Sequence, residues 1–305
     1  MRGERGFALV LTLIITTLMV AILVEMIHQV SVDVSLSRSY RNGQQASLLA
    51  ESGVIGGTKL LQSALTGQSF TSLSDVWAAP IKLDDETGTI EISVAEVSGR
   101  LCINDLAESN GEFTLRALKR LGTRLQIPEE CWSALADWLD SNDETRSGGA
   151  ENTYYKSLLP PYPAHNAKLA TIAELSLVKG FTPERIAALR PFVTVFAEVR
   201  GAPLSPVNIN TASKEVLSAL DDGIDDRMAE RILEERRLKP FQVTDNLSRI
   251  AGGEIISGRL AGKAGYMGRL FRITSVARVK ETARTVEAVL RISGGSTEIL
   301  SWQEY

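Results

Sequence analysis

The residues of this chain best suited to chemistry form one oxygen-rich cluster. Asp137, Asp140, Asn142, Asp143 and Glu144 fall close together, and Glu151 and Asn152 follow the glycine pair Gly148–Gly149. Such density suits a hard cation that takes about six to eight oxygen ligands, calcium above all. Asp140, Asn142 and Glu144 alternate as at the start of an EF-hand loop. Thr145, however, stands where that loop needs glycine, so the segment is not an EF-hand. The glycine pair would let the chain fold back so that Glu151 meets the aspartates. The expected ligands are Asp140, Asn142, Asp143, Glu151 and Asn152. Glu144 ranks below them, and so does Asp137, which precedes Trp138 on an expected helix and reads equally as a cap or surface group. The rival reading of the run is a solvated acidic loop.

Other chemistries find little material. The two cysteines, Cys102 and Cys131, form no CxxC motif and have no evident histidine base, which argues against thiol catalysis. In an oxidising compartment they could pair, closing a loop of about 30 residues and contributing roughly 2–4 kcal/mol. Two buried free thiols are the alternative. The two histidines are His28, beside the apolar N-terminal run, and His165 in a proline-rich loop. GxSxG, HExxH and P-loop motifs are absent, so no catalytic residue is expected and the chain reads as a non-enzyme. Its 33 basic and 37 acidic residues give a net charge of −4, without the basic balance of a nucleic-acid binder.

The elements that must position the cluster begin at the N-terminus. Phe7–Val24 carries no charged residue, and as a helix it spans about 27 Å, just enough to cross a hydrocarbon core. Arg2 and Arg5 against Glu4 place the leader in the cytoplasm and the bulk of the chain on the far side. A secretory signal peptide would need a small-x-small cleavage site after the apolar core, and VEMIHQVSVDVSLS offers none. The abrupt Gly6–Phe7 junction instead resembles a prepilin leader. That resemblance implies cleavage after Gly6 by a prepilin peptidase, methylation of Phe7 and retention of the helix.

Apolar residues three and four apart continue from Met26 to Leu65 without proline, which predicts one long amphipathic helix. Thr89–Val97 alternates like a strand, and Leu270–Val279 and Thr285–Ile292 read as two more. Between them the chain is mainly helical. It holds two segments that resemble helix-hairpin-helix units, with turns at Gly180-Phe181-Thr182 and Gly223-Ile224-Asp225. The DNA-binding form of that motif offers backbone N–H groups to phosphate. Asp221, Asp222, Asp225 and Asp226 around the second turn would repel one, so a compact packing module is expected there.

Taken together, DWLDSNDE (137–144), GGAENTYY (148–155), PPYPAHN (160–166), ELSLVKGF (174–181) and VNINTA (207–212) resemble the K-type minor pseudopilins of type II secretion. Leu11, where most pilins carry glutamate at the fifth mature position, fits a subunit with none ahead of it. The resemblance covers nearly the whole chain. It implies an α+β fold, with a long pilin-type helix packed on a small antiparallel sheet and a large helical insertion. The expected divisions are a leader (1–6), a transmembrane part (7–24), a periplasmic helix with first strands (25–104), an inserted helical domain (105–200), a second hairpin module (201–262) and C-terminal strands (263–305). It implies calcium bound in the insertion and a single-pass inner-membrane location in a Gram-negative bacterium. The implied role is the tip of a pseudopilus. Its partners would be the I- and J-type minor pseudopilins, the major pseudopilin, secreted substrates and the outer-membrane channel. The alternative is a minor pilin of a type IV pilus or DNA-uptake system.

Overall fold

One helix, α1 (Gly3–Leu65), forms the N-terminal part of the architecture. The computed structural model describes residues 3–84, 86–245 and 247–305, with side chains from Phe7 onward; Met1 and Arg2 of the expected leader lie outside them. Up to Tyr40 the described residues of α1 are exposed, and among the described residues this is the one helix long and apolar enough to cross a membrane. Its threonines do not interrupt it. The hydroxyls of Thr12, Thr16 and Thr17 donate to carbonyls of Leu9, Thr12 and Leu13, so each polar group is satisfied within the helix.

From Gly43 on, α1 packs on a sheet through small residues. Gly43, Ala46, Ala50, Gly53, Val54, Gly57 and Leu61 face inward at spacings of three and four. Leu48 and Ile55, which hydrophobicity alone would put on the apolar face, instead point outward with 63% and 60% exposure. The inward face is set by closeness, since a Cβ on Gly57 would lie 3.2 Å from both Ile273 and Ile92.

The sheet is antiparallel, in the order β1-β2-β7-β8-β9. Strands β1 (Ile81–Asp84) and β2 (Thr89–Glu96) precede a long excursion. That excursion comprises β3 (Leu101–Cys102), α2 (Gly111–Leu125), α3 (Glu129–Leu139), the single turn α4 (Asn152–Tyr155), α5 (Pro183–Leu189), β4 (Val193–Thr194), β5 (Val207–Asn208), α6 (Lys214–Leu220), α7 (Asp226–Leu238), α8 (Gly253–Arg259) and β6 (Ala264–Gly265). Strands β7 (Leu270–Val279), β8 (Thr282–Ser293) and β9 (Ser296–Glu304) then complete the sheet. The excursion opens between neighbours, for β2 pairs directly with β7 and Glu96 lies opposite Phe271.

Two apolar cores result. Alternate residues of the sheet, including Ile92, Phe271, Ile273, Ala288 and Leu290, close on α1 and on Trp77, whose ring meets Phe271 edge-on at 5.3 Å. The second core runs from Leu101 through Trp132 and Leu175 to Leu217 and Leu260. It joins the stretches expected as separate modules at 105–200 and 201–262 into one packed body.

Candidate metal centre

The oxygen cluster lies where α3 ends. Asp137 sits in its last turn, and the chain then leaves through Asp140 and loops back to Glu151. The return depends on the glycine pair. Gly148 adopts φ +78°, and a Cβ on Gly149 would stand 1.9 Å from Asp137 Oδ2. Asp137 is fully buried. It accepts from the backbone N–H of Ala150 at 2.9 Å and from Arg146 Nη1 at 2.7 Å. The same guanidinium nitrogen donates to Asp140. Lys179 Nζ donates to the carbonyl of Gly149 at 3.0 Å, tying the loop to the first hairpin.

Carboxylate oxygens of Asp137, Asp140 and Glu151 all lie within 4.8 Å of one another. Glu151 is 2% exposed, and among the described residues neither of its oxygens has a hydrogen-bond partner. An unpaired buried carboxylate is expensive. Burial, reinforced by the charges of Asp137, Asp140 and Asp143, pushes its carboxyl up to about 7. When all three carboxylates are ionised, the Arg146 guanidinium leaves two negative charges unbalanced. The donor set therefore fits a hard dication.

The sequence-predicted ligands divide. Asp140 and Glu151 meet as expected. Asp137, ranked low as a cap or surface group, is central, because the returning loop buries it completely. Asn142 and Asn152 spend their side-chain carbonyls on backbone N–H groups of Glu144 (2.7 Å) and Ala164 (3.1 Å). Asn152 Nδ2 also holds Asp143 Oδ1 at 2.9 Å, keeping that carboxylate beside the cluster. Glu144 is exposed. The expected disulfide is not formed. Cys102 lies among Asp105 and Ser205, and Cys131 Sγ donates to the carbonyl of Gly180 at 3.4 Å. Both thiols are free and buried, and burial raises both above the usual thiol range.

The second hairpin spends its charges internally. Arg259 pairs with Asp221 at 2.7 Å, Arg124 with Asp226 at 2.7 Å and Arg120 with Asp222, while Asp225 Oδ1 caps α7 through Met228 N–H at 2.8 Å. Arg120 and Arg124 hold the Asp222 and Asp226 carboxyls below their ordinary range. Three of these carboxylates thus fasten the hairpin to α2 and α8, and the fourth caps its second helix.

An exposed apolar helix running into a helix-on-sheet head defines a pilin-type subunit, here enlarged by a helical domain between two adjacent strands. Two family models, both described as type II secretion system protein K, match residues 99–198 and 207–262, together more than half of the chain. The chain belongs to the type II secretion system protein K family. It is similar to protein K of Aeromonas hydrophila (27% identity, covering 94% of this chain and 93% of the relative) and of Pectobacterium carotovorum subsp. carotovorum (26%, covering 69% and 67%). Its fold matches a chain in the crystal structure of the GspK-GspI-GspJ complex from enterotoxigenic Escherichia coli. The TM-score is 0.71 at 21% identity, covering 88% of this chain and 99% of that chain.

Proposed function

We propose that this protein is a non-enzymatic minor pseudopilin at the tip of the type II secretion pseudopilus, where it primes assembly and supports protein export across the outer membrane. The observation that carries the reading is where the insertion leaves the head. Gly43 of α1 faces Thr282, Gly53 faces Ser275 and Gly57 faces Ile273, so β7 runs opposite to α1. Glu96 and Leu270, from which the insertion departs, therefore lie at the end of the head farthest from the apolar segment. A body of that size there would block another subunit from stacking above. Leu11 supports the same position, since no glutamate is present at that site to pair with a subunit ahead.

The partners in this reading are I- and J-type minor pseudopilins, as in the related complex, with the major pseudopilin below. Secreted substrates and the outer-membrane channel would lie above. Prepilin peptidase would cut between Gly6 and Phe7. The protein would sit in the inner membrane with its N-terminus cytoplasmic and its bulk periplasmic. Calcium would be held by Asp137, Asp140 and Glu151. When bound, the ion supplies the positive charge that three clustered carboxylates lack. Nucleic acid is not a partner in this reading, because the acidic hairpin's charges face arginines of its own domain.

Affinity purification of the full chain from detergent-solubilised membranes, co-expressed with I- and J-type pseudopilins, tests the proposal. A stable ternary complex, and loss of protein export when the chain is deleted, are expected. Purification of the chain alone, with export unimpaired by the deletion, would refute it.

A further inference from the structure

A cleft of about 420 Å³ opens beside the junction of the helical domain and the sheet, away from the oxygen cluster. Ile209, Leu260, Met267 and Tyr266 give it largely apolar walls, and Glu198 lines it too. Glu198 is 5% exposed. Its Oε2 accepts from Ser98 Oγ at 2.6 Å, and its Oε1 has no hydrogen-bond partner among the described residues. Ser98 is itself committed, for it also accepts from the N–H groups of Arg269 and Leu270 at 3.1 and 3.0 Å. Behind this carboxylate stands a second, Glu96, whose charge is felt at Glu198. Glu96 Oε1 takes hydrogen bonds from Asn208 and Thr211, and the Thr71 hydroxyl also serves this carboxylate. The one cationic residue among the described lining residues is Arg269, which is exposed and makes no ion pair within 4.0 Å with a described residue.

Apolar walls leading to a buried, half-satisfied carboxylate are complementary to an alkyl chain ending in a cation. Guanidinium suits such a place better than ammonium, because it is more weakly hydrated and donates in a fixed planar fork. We propose that this cleft is a socket for an arginine side chain presented by a partner polypeptide. The stem lies along Leu260, Ile209 and Met267, and the guanidinium meets Glu198. Arg269 competes from the rim, lowering the affinity of the empty socket for a second cation.

The test is calorimetric titration of the full chain in detergent micelles with the capped peptide acetyl-Gly-Arg-Gly-amide. The same peptide with citrulline, which keeps the shape and removes the charge, is the comparison. The arginine peptide should bind saturably and the citrulline peptide should not. Glu198→Gln should weaken binding about tenfold, the loss expected for one charge-assisted hydrogen bond. Arg269→Gln should strengthen it roughly two- to fivefold by removing the competing charge. Ala261→Trp, an exposed lining residue whose enlargement fills the cleft and leaves both charges in place, should abolish it. Equal binding of the two peptides, or wild-type affinity in either Glu198→Gln or Ala261→Trp, would overturn the proposal. So would binding of free n-butylguanidinium without binding of the peptide, since that would make the cleft a small-molecule site.

Discussion

Gly149 and Asp137 are placed so tightly that no side chain can stand between them, since a Cβ on the glycine would fall 1.9 Å from Asp137 Oδ2. The loop that carries Glu151 can therefore close over α3 only with glycine at that position. Gly149→Ala should destabilise the protein by about 1–3 kcal/mol, as overpacking does. It should also remove most of the rise in melting temperature expected with millimolar calcium over chelator. Asp225→Ala, in the other hairpin, should leave that rise intact. Thermal melts of metal-free protein with and without calcium check all three. Identical curves for the wild type would return the cluster to a solvated acidic loop.

Glu151 makes the stability of the metal-free protein depend on pH. Its folded-state carboxyl is raised from 4.5 to about 7, so the folded state binds its proton more tightly than the unfolded chain does. Its contribution is complete below about pH 4.5 and is lost as pH rises towards 7. Glu198, also raised to about 7 by burial, contributes in the same direction. In chelator, the difference in stability between wild type and Glu151→Gln should shift in favour of Glu151→Gln across that window. Calcium should flatten the trend, because an ion offsets the repulsion that the proton otherwise relieves. Denaturant titrations at several pH values measure it, and a difference constant with pH would contradict the assignment.

The contact of α1 with β7 predicts a non-additive pair. A Cβ on Gly53 would lie 2.1 Å from Ser275 Oγ, and that hydroxyl is buried without a partner. Gly53→Ala alone should destabilise by about 1–3 kcal/mol. Ser275→Ala alone should be neutral or stabilising, because it removes an unsatisfied polar atom. In the double variant much of the Gly53→Ala cost should vanish, which a double-mutant cycle reads directly.

Both thiols should be silent in the folded protein. Cys102 and Cys131 are buried, and burial raises each above the usual thiol range, so little thiolate is present near neutral pH. A thiol reagent should label neither rapidly under native conditions and both after denaturation. An intact mass two hydrogens lighter, restored by reductant, would show the pairing that the structure lacks.

Processing offers an independent check on the N-terminus. The mature chain should begin at Phe7, methylated, with its apolar helix retained. Gly6→Leu should block maturation by placing a bulky side chain at the cut. Intact-mass measurement on membrane-extracted protein distinguishes these products from cleavage near residue 30.

Much of the fold was legible because it obeys a single period. Thr89–Val97 alternates in sequence and in burial, and β2 lies there; β7 behaves alike, and β8 does so up to the irregularity at Val289–Leu290. Strand β9 (Ser296–Glu304) escaped notice because an edge strand with Ile299 and Trp302 exposed leaves no clean alternation. The working face of α1 was misread for a different reason. Hydrophobicity favours Leu48 and Ile55, whereas close approach to a sheet favours Gly53 and Gly57, which carry no apolar side chain to mark them. At the site, sequence revealed oxygen density but not its allocation. Which carboxamides are taken by the backbone, and that Asp137 is enclosed, depend on a loop returning from a dozen residues away.

Glu96 lies opposite Phe271, so the first long strand of the head is synthesised well before the neighbour that completes it. A ribosome delivers the whole helical insertion in between. During that interval β2 has only β1 beside it, and the apolar face of α1 waits largely uncovered. The insertion has its own core and can form meanwhile, bringing Val97 and Arg269 together as it closes. Closing first, it would turn a costly long-range strand pairing into a short-range one. Replacing the segment by a tight turn would preserve that proximity, whereas a long unstructured linker would slow assembly of the head.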